Sequence, residues 1–412
     1  MKSLLKYPMA LVFFLFILVT FLTDVLNEDR YKSEFENKIL ATMPSFSINS
    51  FMDGSFGQKY VSYINDQFVN RDQWISLKAV ADKGLGRVEA HGVGFGDEDY
   101  LMEKLQIVPA RLPSSGTNVV EERSLNRSVG MVRSFLEKQD RPITFTLIPN
   151  SYNVLSDKLP KGFPGADQEQ YSQEIYTQLK EVSPQLEVVD FTQALKQHTD
   201  EYIYYRTDHH WTTLGAYYAY EEYCREKGLT PVELSSLEGH EVEDFYGTFY
   251  SKARRPGQQS DTITWYDVPV EEFAFTANLK QDKELETLGH LVQEDGLELL
   301  SVDGMMDERK FATRDKYGAF MWGNSGYVKI RSAHNLDHQE GETKRLLLFK
   351  DSYANSMIPF LTYNYDEIIV IDLRSNAKSV KELMKEDFED VLLMYNFSTF
   401  ISESSSLANL KF

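Results

Sequence analysis

The stretch "LLLFKDSYANSM", residues 346–357, changes abruptly from apolar to polar in its middle. Its four leading apolar residues are typical of a strand that is buried on both faces. Lys350, Asp351 and Ser352 follow them, and small residues come next. One interpretation is structural: the strand stops, and Asp351 or Ser352 caps a helix. The other is chemical, because α/β folds place nucleophiles at the carboxyl end of a central strand, just before a helix.

Strand-like and helix-like segments alternate on both sides of this stretch. Short apolar runs predict strands, and apolar residues spaced by three and four predict helices. In chain order the predicted segments are strand 143–150, helix 171–182, strand 186–191, helix 212–227, strand 346–349, helix 353–361, strand 367–372, helix 379–386 and strand 391–395. This alternation predicts an α/β fold with a largely parallel sheet and helices on both faces. Residues 240–340 lack it, so we expect an irregular insertion that covers one end of the sheet.

An apolar run near the N-terminus is the clearest targeting signal. It extends from Met9 to Leu22, follows Lys2 and Lys6, and with its flanks is long enough to span a bilayer. Positive charge on its N-terminal side keeps that end cytoplasmic and places the rest of the chain across the membrane. A cleaved signal peptide is the alternative, although no small-x-small cleavage site follows the run. A buried core helix is the third interpretation.

The chain therefore has three predicted parts. Residues 1–30 are the signal anchor, and residues 31–110 form a membrane-proximal stalk that carries amphipathic helices. Residues 111–412 form the main domain, with the insertion at about 240–340 inside it.

Composition narrows the classes of partner. The 412 residues carry 63 acidic and 43 basic side chains, for a formal net charge of −20. This balance argues against a nucleic-acid partner, because phosphates require neutralisation by Lys and Arg. A hydrophobic fraction of 42 % and an aromatic fraction of 13 % indicate a globular chain. The single cysteine, Cys224, excludes an internal disulfide and a cysteine-based zinc site.

A possible base and carboxylate lie together in "YYRTDHHWTTLG". A serine hydroxyl becomes a useful nucleophile when a histidine takes its proton and a carboxylate orients that histidine. In a loop that enters a helix, Asp208 and His210 can point the same way while His209 points away. Because parallel strands bring their carboxyl ends to one edge of a sheet, this loop and Ser352 could meet there.

Each of these residues also has another interpretation. Asp208, His209 and His210 are residue types that bind metals, although adjacent histidines rarely hold one ion together. His334 and His338 have helical spacing, but Asn335 makes a helix there doubtful. Ser352 could serve only as a helix cap, and Trp211 is better explained by packing than by substrate binding.

Five segments together resemble the bacterial DHHW protein family. They are "TDHHWTTLGAYYAY", "WGNSGYVKI", "LLLFKDSYANSMIPFL", "IIVIDLR" and "VLLMYNFSTF". That family is similar to the SGNH-like acetyltransferases that O-acetylate alginate, and through them to the SGNH hydrolase superfamily. The resemblance extends from about residue 60 to the C-terminus. It implies a three-layer α/β/α domain whose site has a permuted order, with the D-x-H element before the serine.

The resemblance also implies roles for single residues. Ser352 matches the nucleophile, His210 the base and Asp208 its orienting carboxylate. Lys350 departs from the pattern, because SGNH proteins have glycine in the Gly-Asp-Ser motif. That departure puts a close backbone approach beside the nucleophile in doubt.

The oxyanion of acyl transfer needs two or three positioned donors. The amide of Ser352 is one candidate, and the resemblance implies the Gly323 amide and the Asn324 side chain as the others. Arg374 and Asn396 follow predicted strand ends, where they could line the cleft or serve structure alone.

The resemblance implies a membrane-tethered, extracytoplasmic O-acetyltransferase or esterase that acts on a cell-surface polysaccharide. It also implies a membrane-bound O-acyltransferase partner, which delivers acyl groups across the bilayer. The alternative is a non-catalytic glycan-binding or scaffold protein, which the many aromatic side chains would also suit. A metal-dependent hydrolase is a third possibility. We predict neither a metal nor a cofactor.

Overall fold

The computed structural model of the chain describes residues 7–33, 38–109, 118–376 and 378–410. The chain divides into two compact units. The first comprises Met1–Arg87 with Ser251–Gln258, and the second comprises Val88–Tyr250 with Gln259–Phe412. The three-part division drawn from the sequence stays a prediction, and Lys2 and Lys6 lie outside the described residues.

The first unit is mostly helical. Its elements are α1 (Pro8–Leu26), β1 (Lys32–Ser33), β2 (Lys38–Ile39), α2 (Ile48–Met52), α3 (Ser55–Gln67) and α4 (Arg71–Gly84). Helix α1 has a mean hydropathy of 2.6 and is long and apolar enough to cross a membrane, a criterion that signal sequences also meet. The buried Asp66 on α3 accepts hydrogen bonds from the Lys38 ammonium at 2.8 Å and the Ala41 amide at 2.9 Å.

The remaining strands and helices follow in chain order. The strands are β3 (Glu89–Ala90), β4 (Val93–Phe95), β5 (Leu101–Glu103), β6 (Gln106–Val108), β7 (Val119–Glu121), β8 (Thr144–Ile148), β9 (Glu187–Val188), β10 (Gly239–Phe245), β11 (Asp261–Tyr266), β12 (Val270–Phe275), β13 (Gly289–Glu294), β14 (Leu297–Val302), β15 (Tyr327–Ser332), β16 (Arg345–Lys350), β17 (Glu367–Ile371) and β18 (Asp390–Asn396). The α-helices are α5 (Glu122–Leu136), α6 (Ser151–Val154), α7 (Gln168–Val182), α8 (Thr192–Lys196), α9 (Thr213–Lys227), α10 (Thr248–Ala253), α11 (Leu285–Leu288), α12 (Ile358–Leu361), α13 (Val380–Leu383), α14 (Phe397–Ser402) and α15 (Ser404–Leu407).

A nine-stranded mixed sheet organises the second unit. Its strand order is β13-β14-β12-β15-β17-β16-β18-β8-β9. The last five strands of this order are mutually parallel, whereas the first five are joined by antiparallel pairs. The prediction of a largely parallel sheet is therefore confirmed for one half of the sheet and wrong for the other half. The prediction of an α/β fold holds, and the SGNH-like three-layer arrangement stays a prediction.

The antiparallel half comes from the segment predicted to be an irregular insertion. Residues 240–340 supply β12 to β15, which extend the sheet instead of covering its end. Only two residues separate β13 from β14, and strands joined by a two-residue turn can pair only in the antiparallel sense. Asp295 and Gly296 form such a turn between β13 and β14, both with positive φ, at 53° and 76°.

The predicted elements around the central strands largely match the structure. The strands predicted at 346–349, 367–372 and 391–395 correspond to β16, β17 and β18. The helix predicted over 353–361 is instead a 3-10 helix, Ser352–Ser356, followed by α12. Pro359 lies in the first turn of α12, where its missing N–H costs nothing, so it favours a new helix start at this point.

Polar residues gather at one edge of the parallel half. Asn150 follows β8, Asn396 ends β18, Asp351 follows β16 and Asp372 follows β17. All four are buried, at 1–2 % exposure. Because parallel strands end at the same edge, the sheet brings these residues and the neighbouring Ser352 together.

Candidate active site

Hydrogen bonds across its base and to Asp261 hold the loop that carries Asp208 and His210. An isolated β-bridge joins Tyr204 to Trp211 across it. The buried Asp261 accepts hydrogen bonds from the Arg206 amide at 2.8 Å and the Thr207 amide at 2.7 Å. These contacts fix the backbone of the loop and therefore the directions of the side chains at its tip.

Asp208 and His210 form a buried hydrogen-bonded pair. The Asp208 Oδ1 lies 2.5 Å from the His210 Nδ1, and the Asp208 Oδ2 accepts the Thr248 amide hydrogen at 2.7 Å. A Cβ at Gly247 would lie 2.2 Å from the Asp208 Cβ, so only glycine fits beside the carboxylate. The carboxylate is thus held on both oxygens, which fixes the orientation of the imidazole.

His209 does not point away from Asp208 as expected. Its Nδ1 lies 3.3 Å from the Asp208 Oδ1 and 2.7 Å from the Thr248 Oγ1, because the closed loop turns both histidines towards one carboxylate. Ligand atoms of Asp208, His209 and His210 all lie within 4.8 Å of one another, as a metal site would require. Both ring nitrogens of His210 are engaged in hydrogen bonds, however, so binding a metal there would break one of them.

Ser352 lies at the start of the 3-10 helix after β16. Asp351 is the cap of that helix: its carboxylate accepts the Tyr353 amide hydrogen at 3.0 Å and the Asn396 amide hydrogen at 2.7 Å. The capping role that the sequence left open between two residues therefore belongs to Asp351. The Ser352 hydroxyl lies 2.8 Å from the His210 Nε2 instead.

The three side chains form one continuous hydrogen-bonded chain from serine through histidine to aspartate. Asp208 and His210 are 2 % and 5 % exposed, whereas Ser352 is partly exposed. An accessible hydroxyl backed by a buried imidazole and a buried carboxylate is the arrangement that nucleophilic acyl transfer uses.

Tyr317 is a site residue that the sequence did not indicate. Its ring stacks on the His210 ring, with centroids 3.8 Å apart and planes 10° apart. Its hydroxyl donates to the Ser352 carbonyl oxygen at 3.1 Å and lies 3.3 Å from the Ser356 Oγ. Tyr317 belongs to the 3-10 helix Lys316–Ala319, and only the tertiary fold brings that helix to the loop.

Trp211 is fully buried beside this group. Its indole N–H lies 2.9 Å from the Tyr353 carbonyl oxygen and 3.0 Å from the Ser356 Oγ. It ties the histidine loop to the serine segment, which agrees with the packing role favoured by the sequence.

Burial sets the charge states of the buried pair. It lowers the pKa of His210 to about 4, a direction that the neighbouring His209 reinforces and Asp208 opposes. For Asp208, burial raises the pKa, but His209 and His210 outweigh it and hold the pKa well below its usual range. At neutral pH the imidazole is therefore uncharged and free to accept a proton, next to an ionised carboxylate.

The two oxyanion candidates from "WGNSG" differ in availability. The Gly323 amide hydrogen is donated to the Phe320 carbonyl oxygen at 3.0 Å, inside a turn where Gly323 has φ of +88°. Asn324 is exposed, and its Oδ1 accepts from the Lys350 ammonium at 2.9 Å and the Asn355 amide at 3.2 Å. Because the oxygen end faces these donors, the Nδ2 end of Asn324 points away from them.

Arg374 and Asn396 have different surroundings. The Arg374 guanidinium pairs with Asp372 through two hydrogen bonds, of 2.9 and 2.6 Å, and its side chain is 35 % exposed. Asn396 is 1 % exposed, and its Nδ2 donates to the Ile148 carbonyl oxygen at 3.1 Å. Asn396 is therefore a buried residue that holds Asp351 through its backbone amide, whereas the Arg374 side chain is partly exposed.

Comparisons with known proteins support the resemblance. No curated protein matches the chain at a significant level. A solved DHHW family protein from Eubacterium siraeum is 23 % identical, covers 78 % of this chain and 96 % of its own, and aligns with a TM-score of 0.58. Bacillus cereus PatB1, solved with a sulfonyl adduct, is 16 % identical, with 74 % and 94 % coverage and a TM-score of 0.53.

The O-acetyltransferase domain of Pseudomonas putida AlgJ is 10 % identical, with 78 % and 99 % coverage. It aligns with a TM-score of 0.38. The family model for the DHHW protein matches residues 166–371, which is half of the chain and includes the histidine loop and Ser352. The chain therefore belongs to the DHHW protein family.

Proposed function

We propose that this protein is an extracytoplasmic, membrane-tethered acyl-transfer enzyme, an O-acetyltransferase or esterase that acts on a cell-surface polysaccharide. The observation that carries the proposal is the hydrogen-bonded chain from Ser352 Oγ to His210 Nε2, at 2.8 Å, and from His210 Nδ1 to Asp208 Oδ1, at 2.5 Å. A partly exposed serine is the expected position for a nucleophile that meets a bulky substrate.

In the first half of the reaction, the Ser352 oxygen attacks the carbonyl carbon of an acyl donor while its proton passes to the His210 Nε2. The carbonyl oxygen becomes an oxyanion, for which the Ser352 amide and the Asn324 Nδ2 are the donors that we propose. The tetrahedral intermediate then collapses, and His210 gives its proton to the departing group. An acyl ester on Ser352 remains.

In the second half, a sugar hydroxyl attacks the acyl carbon and His210 takes its proton. Collapse of the second intermediate breaks the bond to the Ser352 oxygen, which recovers the proton from His210. When water replaces the sugar hydroxyl, the same steps produce hydrolysis. Asp208 stays ionised throughout and stabilises the imidazolium that forms twice per cycle.

The location and partner belong to the same proposal. Helix α1 supplies a segment that suits a signal anchor, with the second unit outside the cytoplasm. A membrane-bound O-acyltransferase partner would supply acyl groups on that side of the bilayer. The substrate class rests on the kinship that the sequence implies with proteins that acetylate alginate.

The test is hydrolysis of an activated acetyl ester by the full-length chain, with Ser352→Ala as the matched variant. We expect the variant to lose at least about 10³-fold in kcat, since the nucleophile and its base act as one unit. Equal rates in the two proteins would show that Ser352 is not the nucleophile. Activity lost to a chelator would instead favour the metal-dependent alternative.

Covalent labelling separates the enzyme from a glycan-binding scaffold. A sulfonyl fluoride reacts with an activated serine oxygen by forming the S–O bond and releasing fluoride. We expect one sulfonyl group on Ser352 in the wild-type chain, located by mass spectrometry of its peptide, and none in Ser352→Ala. A chain that stays unlabelled while it still binds polysaccharide would favour the scaffold.

A further inference from the structure

Lys350 is an unusual residue for its position in the fold. It ends the central strand β16, two residues before Ser352, and it is only 2 % exposed. A buried ammonium is costly unless each of its three N–H groups meets an acceptor. Three oxygens lie around its Nζ: Asn355 Oδ1 at 2.8 Å, Asn324 Oδ1 at 2.9 Å and Asp372 Oδ2 at 3.6 Å.

We propose that Lys350 is a positioning residue that orients the Asn324 side chain, so that the Asn324 Nδ2 faces the oxyanion formed on the substrate. This inference rests on the proposed function, because it assigns a role in the same acyl-transfer site. It deepens that function by naming the group that prepares the side-chain oxyanion donor.

The chemistry of lysine decides the orientation of the amide. An ammonium only donates hydrogen bonds, so the end of Asn324 that faces Lys350 must be the oxygen. Asn355 reinforces this choice, because its Oδ1 faces Lys350 and its Nδ2 donates to the same Asn324 oxygen at 3.2 Å. Both hydrogens of the Asn324 Nδ2 are therefore directed away from this buried group, on an exposed residue.

The nucleophile and the two residues that hold this amide belong to one short segment of the chain. Lys350 and Asn355 flank Ser352 on one short segment, and both contact Asn324. The Asn355 Nδ2 also lies 3.3 Å from the Gly323 carbonyl oxygen, which fixes the backbone that carries Asn324. The segment that presents the serine hydroxyl thus also sets the position of the side-chain donor.

Charge supports the same role. Burial lowers the pKa of Lys350 to about 8, with Asp372 opposing the shift, so most of the positive charge remains at neutral pH. Hydrogen bonds from a charged donor are roughly twice as strong as neutral ones and hold the amide more firmly. Glycine, which SGNH proteins have at this position, cannot supply such a contact.

The experiment is a double-substitution cycle on the full-length chain, with kcat and KM measured for an activated acetyl ester. Loss of one oxyanion donor costs about 10²–10³ in kcat, which we expect for Asn324→Ala. We expect Lys350→Met to lower kcat at least about tenfold and to leave KM within about threefold, since the donor acts on the transition state. The double variant should be no slower than Asn324→Ala, because Lys350 acts through Asn324.

Lys329→Met is the matched control. Lys329 is also a buried lysine of the central sheet, at 5 % exposure, but it pairs with Glu294 and Asp295, away from Ser352. We expect it to lower the melting temperature without changing kcat. If Lys350→Met does not fold, Asn355→Ala replaces it, because that change removes an acceptor of Lys350 and a donor to Asn324.

The outcomes separate the two proposals. If Ser352→Ala is inactive while Lys350→Met keeps its kcat, or if the losses multiply in the double variant, the positioning role is wrong and the proposed function stands. If Ser352→Ala is as active as the wild type, the proposed function fails and the role of Lys350 fails with it.

Discussion

His210 shows how a single residue depends on its surroundings. In water an imidazole has a pKa near 6.5, so at that pH half of it is protonated and cannot act as a general base. Here the ring is buried against Tyr317, between Asp208 and Ser352, and burial lowers its pKa to about 4. The histidine is therefore in its proton-accepting form across the whole neutral range.

The buried state of His210 predicts the pH dependence of the proposed reaction. Protonated His210 has no lone pair for the serine proton, so kcat/KM falls only as the pH drops towards about 4. We expect the rate at pH 5.5 to stay close to its plateau, whereas a base with a pKa of about 6.5 would lose about nine-tenths of it. The profile is measured with an activated acetyl ester, after subtraction of the Ser352→Ala background. An acid limb centred near pH 6.5 would contradict the neutral buried base.

At the scale of elements, the segment 240–340 has a larger role than its sequence indicated. It adds β12 to β15 to the central sheet and carries Tyr317 to the imidazole. One local signal was available, because Asp295-Gly296 between two alternating segments is a strong indication of a hairpin. No local signal could have shown that the 3-10 helix Lys316–Ala319 packs on the histidine loop, since that contact spans more than a hundred residues.

The 3-10 helix that carries Tyr317 leads to a second prediction. Tyr317→Leu keeps apolar volume but removes the stacked face and the hydroxyl, so the imidazole is less well oriented. We expect kcat to fall at least about tenfold, whereas Tyr317→Phe, which keeps the ring, should stay within about threefold. Rates are measured with the same ester and compared with melting temperatures.

The control for this element is Tyr176→Leu. Tyr176 is also a buried tyrosine, on α7, where it packs on Phe145 and its hydroxyl accepts the Leu147 amide hydrogen. We expect this change to lower stability by a similar amount and to leave kcat unaltered. A matching loss of kcat in both leucine variants would mean that Tyr317 serves stability alone.

For the whole molecule, the decisive feature is the contrast between α1 and the second unit. Helix α1 buries none of its side chains, whereas the second unit has an extensive apolar core around the mixed sheet. An exposed apolar helix of 19 residues is stable in a bilayer and unfavourable in water. We therefore propose that the membrane, and not the protein, covers this helix.

This arrangement predicts how the full-length chain fractionates. We expect it to sediment with membranes and to resist extraction from them by alkaline carbonate. Mass spectrometry of the intact protein should show that the first 26 residues are retained. Leu15→Arg combined with Leu18→Arg should release it, since each charge at the centre of a span costs about 2.5–3.5 kcal/mol on the insertion scale. Leu291→Arg, at a residue 51 % exposed on β13, is the control and should stay bound. Recovery of a shortened soluble chain would identify a cleaved signal instead.

The sequence by itself determined the parts whose causes are local. Apolar runs and helical spacing located β16, β17, β18 and α9, a helix that Thr212 and Gly228 cap. Residue type, the D-x-H spacing and the position of Ser352 after a predicted strand made Asp208, His210 and Ser352 candidates, and the family resemblance implied their roles.

Only the tertiary structure decided the rest. The mixed character of the sheet, the contact of Tyr317 with His210, and the use of the Gly323 amide in its own turn depend on segments distant in sequence or on backbone geometry. The same is true of Lys350. Its sequence position indicates only the polar end of a strand, and the structure shows that it is buried in contact with Asn324 and Asn355. Burial and pairing are properties of the packed chain, and no local pattern of residues encodes them.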